Sequence, residues 1–72
     1  MRWSPEQLDR LESACRRGLR VALVRRGGEQ VVVARRMETV DRKESFVGYV
    51  PMTGEELAFP LDDIERFEVL GT

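Results

Sequence analysis

At Gly18 the spacing of apolar residues changes from three and four to two, and that switch fixes most of what this chain can become. Before it, Leu8, Leu11 and Cys15 recur at helical intervals with Ala14 beside them, drawing one apolar stripe along a helix. After it, Leu19, Val21 and Leu23 alternate with Arg20 and Ala22, the period of a strand with one buried face. One helix followed by strands within 72 residues makes a single domain around a single core. Leu, Val, Ile and Phe supply 20 of the 72 residues, above the ~20% below which chains tend to stay disordered.

The helix is predicted over about residues 5–17. Ser4 is a good N-cap, Pro5 suits the first helical position, and Gln7 completes a capping box with Ser4. Trp3 is placed to staple onto Leu8, and Gly18 is a natural stop. Glu6 at the start and Arg16 and Arg17 at the end complement the helix dipole.

Strands are predicted at about 19–26, 30–36, 44–50, 56–60 and 64–70. Gly27-Gly28 reads as a two-residue hairpin loop, the segment 38–43 (ETVDRK) as a polar turn, and Gly48 as a bulge or bend within the third strand. Pro51, Thr53 and Gly54 form the next turn, and 60–63 a tight connection. A flat sheet of this size leaves unpaired edges and too little core. The expected fold is therefore mainly β with one α-helix, the N-terminal helix capping a bent five-stranded antiparallel barrel.

Several function classes fall away on composition. The longest apolar runs, Val21–Val24 and Val31–Ala34, are far too short to cross a membrane, and the opening MRWSPEQ has no apolar leader core. A lone Cys15 precludes an internal disulfide, so a soluble protein of the reducing cytoplasm is expected. No His is present, which removes the commonest general base and metal ligand and argues against an enzyme. Cys15 lies on the apolar stripe near the helix C-terminus, where a thiol is held protonated and structural. Asp62, Asp63 and Glu65 lack the spacing of a Ca²⁺ loop. No catalytic residue, metal or cofactor is expected.

Charge is sorted along the chain. Residues 1–36 carry nine Arg against four acids, net +5, and residues 37–72 carry three bases against nine acids, net −6. Either the two halves interleave and neutralise each other, or they leave a two-faced docking surface. With a Gly27-Gly28 loop, Arg20 falls opposite Arg35 and Arg26 opposite Glu29. Such a like-charged pair is either screened by acids of the second half or used by an anionic partner. Arg20, Arg26, Arg35 and Arg36 are thus the residues for an alternative role in RNA binding. The aromatic platforms that single strands favour are sparse there, since alternation sends Phe46 and Tyr49 to opposite faces.

The stretch LDRLESACRRGLRVALVRRGGE, with its Leu11-Glu12-x-Ala14-Cys15 element and the Gly28-Glu29 hairpin, resembles the Rof family of inhibitors of transcription termination factor Rho. The likeness continues through Ala34, Lys43-x-Ser45, the Gly54 turn and Leu61-Asp62-x-Ile64, covering about residues 8–67. The resemblance implies an Sm-like fold, a non-enzymatic role, and a protein partner, Rho or a similar RNA-handling protein, whose RNA-loading surface attracts carboxylates. Glu6, Asp9 and Glu12 are the partner-binding residues it implies, with Glu6 the sole carboxylate of residues 3–8. A monomer or weak homo-oligomer is expected, and the sequence leaves the choice open: other Sm-like chains form rings by joining sheet edges, and no edge-blocking Lys is evident here.

Overall fold

The structure, a computed structural model, describes residues 3–71. It contains helix α1 (Pro5–Arg17) and strands β1 (Arg20–Arg25), β2 (Gly28–Val40), β3 (Lys43–Val50), β4 (Glu55–Pro60) and β5 (Arg66–Gly71), with a 3-10 turn at Leu61–Asp63. All strand pairs are antiparallel, in the spatial order β4-β3-β2-β1-β5.

The local signals at the helix act as their chemistry requires. Ser4 Oγ accepts from the Gln7 backbone N–H at 3.2 Å, and Gln7 Oε1 accepts from the Ser4 N–H at 3.0 Å. Gly18 ends the helix at φ 64, where a side chain would be strained, and its neighbour Leu19 donates back to the Ala14 carbonyl at 3.0 Å. Leu11 and Ala14 are buried against the sheet, and α1 packs mainly on β2.

The turns between strands correct several expectations. The β1–β2 loop is Arg26-Gly27, not Gly27-Gly28: both residues take positive φ, 51 and 76, as a type I′ turn needs. Arg20 consequently pairs with Val33 rather than Arg35, Val24 rather than Arg26 faces Glu29, and Arg26 sits in the turn itself. The segment expected as a polar turn at 38–43 is mostly strand, because a second tight turn, Asp41-Arg42 with φ 51 and 65, lets β2 run to Val40 and β3 start at Lys43. That turn lacks the glycine by which such geometry is usually recognised. The last strand begins at Arg66, after the 3-10 turn has carried the chain past Ile64, rather than at residue 64.

The bulge expected at Gly48 lies across from it, at Arg35: pairing jumps from Ala34 with Gly48 to Arg36 with Val47. Gly48 serves another purpose. A Cβ there would stand 2.6 Å from Val32 Cγ2, so the absent side chain is what lets β3 press against the core side of β2.

The sheet curls into a barrel-like shape around Val21, Leu23, Val32, Ala34, Phe46, Val50, Phe59 and Leu61. In a flat sheet β1 and β4 would lie roughly 14 Å apart, three strand spacings. Here the Arg25 guanidinium, at the end of β1, lies 4.8 Å from the centroid of Phe59 on β4. Trp3 bridges the two outermost strands. Its indole N–H donates to the Leu61 carbonyl just after β4 at 3.1 Å, while its ring stacks on Phe67 of β5 with centroids 5.4 Å apart. Trp3 and Leu8 both pack on the core, and the partners that fix Trp3 are Phe67 and Leu61.

Candidate functional site

The exposed side of α1 carries Glu6, Asp9 and Glu12, all solvent-facing. Residues three apart on a helix step back by about 60°, so these carboxylates spiral across the exposed arc instead of forming one line. Arg10, Arg16 and Arg17 are interleaved with them and are exposed as well. Arg10 leans toward the sheet, its guanidinium 6.0 Å from the Phe67 centroid. Glu6 thus lies toward the Trp3 end, and Glu12 borders a cleft between α1 and β2.

The four arginines of the alternative site do not converge. Arg26 occupies the β1–β2 turn, six residues beyond Arg20 and therefore roughly 20 Å away along the strand. Arg35 and Arg36 are brought side by side by the bulge in β2. Arg36 Nη1 pairs with Glu56 Oε1 at 3.1 Å and Nη2 with Glu38 Oε2 at 3.7 Å, while Arg35 Nε reaches the other Glu56 oxygen at 3.9 Å. Acids of the second half of the chain therefore neutralise bases of the first, one of the two outcomes open from charge order. Tyr49 does face outward, opposite in sense to the buried Phe46, but Arg35 lies over its ring at 5.0 Å. A base would have to displace that guanidinium to stack there.

Cys15 is half-buried, and burial pushes its thiol up from an ordinary 9.0 to about 11, with nearby Glu12 adding to the rise and Arg16 opposing it. At neutral pH it is a protonated thiol, a poor nucleophile. Asp62, in the 3-10 turn, and Glu65 after it face solvent, while Leu61 and Ile64, each directly before one of them, are buried. Among the described residues no group of three or more His, Cys, Asp or Glu is arranged to hold a metal ion, and no helix is long and apolar enough to cross a membrane.

The feature that sequence reasoning missed is the cleft formed where α1 crosses the bulge, lined by Glu12, Cys15, Arg16, Arg35, Arg36 and Met37. Its two walls are 20 residues apart in the chain, and the bulge that sets Arg35 and Arg36 side by side in β2 has no local signature beyond the pair of arginines itself. No protein-family model matches the sequence, and neither does any curated protein.

Proposed function

We propose that this chain is a non-enzymatic regulator that acts as the Rof family does, docking through α1 on transcription termination factor Rho or a similar RNA-handling protein and reducing termination. The observation that carries the reading is how the two most specific elements of the resemblance divide between core and surface. In Leu11-Glu12-x-Ala14-Cys15 the aliphatic residues are buried and Glu12 is left in solvent; in Leu61-Asp62-x-Ile64 the aliphatic residues are buried and Asp62 is left in solvent. The apolar positions account for a helix seated on a curled sheet, and the remaining carboxylates, with Glu6 and Asp9, are free to meet a cationic surface. The capping box and the Trp3 bridge hold α1 in place before any partner arrives, which limits the ordering cost of binding.

Gel filtration of the full chain with Rho at low ionic strength tests this, where charge-steered association is strongest. A shared peak, lost in Glu6→Lys/Asp9→Lys/Glu12→Lys and accompanied by readthrough in a termination assay, is the expected result. No shared peak at low salt overturns it. Should the chain bind a short oligonucleotide by itself, with affinity falling steeply as salt rises, the Arg20, Arg26, Arg35 and Arg36 alternative takes its place.

A further inference from the structure

We infer that the cleft between α1 and the β2 bulge binds an acidic peptide segment of a partner protein, one that carries an aliphatic side chain between its carboxylates. The cleft holds about 390 Å³. Arg16, Arg35 and Arg36 line it together with a single carboxylate, Glu12, over a floor made by the half-buried Cys15 and Met37. Planar guanidinium groups favour carboxylate or phosphate oxygens, which they grip with paired hydrogen bonds. The floor is apolar and suits a side chain of about Leu size rather than a bare anion.

The arginines are available in different degrees. The ion pairs among the described residues engage Arg35 and Arg36 and leave Arg16 without one. Glu56 and Glu38, which hold the other two, are themselves 44% and 46% exposed, and pairs so open to water yield readily to an incoming carboxylate. Peptide is favoured over nucleic acid by the lining: no aromatic ring borders the cleft, and that of Tyr49 is covered by Arg35. Single-stranded RNA would gain phosphate contacts here but no stacking. The site shares Glu12 with the outward arc of α1 but draws its cations from Arg16 and β2, so it stands whether or not the helix meets Rho.

An amide NMR titration of the nitrogen-labelled full chain tests it, using a short peptide of alternating Glu and Leu, the same peptide with Lys for Glu, and a short oligouridylate. With the acidic peptide at low ionic strength, the amides of Cys15, Arg16 and Arg35 to Met37 should shift, and the affinity should fall about tenfold in Arg16→Ala and in Arg36→Ala, the loss of one charge-assisted contact each. Both arginines are exposed, so unchanged amide dispersion elsewhere will show that the variants remain folded. The Lys peptide should leave those amides unmoved. The proposal is overturned if the acidic peptide leaves the cleft amides unshifted, if the two variants bind as tightly as the parent, or if the oligouridylate rather than the peptide moves them.

Discussion

The inner face of the sheet joins Val21, Leu23, Val32, Phe46 and Phe59 in one buried surface, whereas the outer face sets Arg35, Arg36, Glu38, Glu56 and Tyr49 beside the partly exposed Val31 and Val33. Both faces arise from the same alternation along the same strands, yet they are held by different physics. Burial is non-directional, so the inner face tolerates any register that keeps its parity. Ion pairs and ring contacts on the outer face depend on which residue lies across from which, and they move when a turn shifts or a strand bulges. The inner face should therefore dominate stability and the outer face should dominate recognition.

The largest test of that division is Phe46→Ala. A fully buried Phe costs ~3–5 kcal/mol to remove, comparable to the whole stability expected of so small a domain, and circular dichroism should show the variant substantially unfolded. A cooperative denaturant transition close to that of the parent would break the comparison. Gly48→Ala probes the same face by addition: with Val32 Cγ2 only 2.6 Å from the new Cβ, a loss of ~1–3 kcal/mol is expected. Adding Val32→Ala should return part of that loss, and a double variant weaker than the sum of both singles would argue that the close approach is not the cause.

Trp3→Ala comes next, at ~1–3 kcal/mol, because it removes the Phe67 stack and the hydrogen bond to Leu61 together. A change below ~0.5 kcal/mol would mean that Trp3 does not latch the outermost strands. On the outer face, Glu56→Gln should alter stability by no more than ~1 kcal/mol, since its pairs with Arg35 and Arg36 are solvent-exposed. Chemical denaturation of both proteins at high and low salt reads this directly.

The smallest effect concerns Cys15. Because folding raises the pKa of this thiol, its protonated form favours the folded state: the contribution is complete below pH 9.0 and is lost as pH rises toward about 11. Stability plotted against pH for the parent minus Cys15→Ala should slope downward in that window, and a flat difference would show the thiol to be no more buried when folded than when unfolded.

How much of this was legible in the sequence varies with the range of the signal. The helix limits, cap and stop follow from residues within four positions of each other, and α1 begins and ends where Ser4, Pro5 and Gly18 direct. Which side chains of the strands enter the core follows from alternation, which survived a turn displaced by one residue because that displacement moves partners by two and keeps every side chain on its face. The Asp41-Arg42 turn escaped notice because neither residue carries the usual glycine signature, although both adopt positive φ.

From its own order of residues the chain determined one capped helix, five strands, a buried inner face and the sorting of charge between its halves, since each of these is written in short-range spacing. Only the tertiary structure decided that Glu56 joins Arg35 and Arg36, that Trp3 bridges the outer strands, and that α1 and the β2 bulge flank an open cleft lined by Arg16, Arg35 and Arg36. Those contacts link residues brought together by register, bulge and curl, and these depend on how the whole sheet closes over its core rather than on any local run of residues.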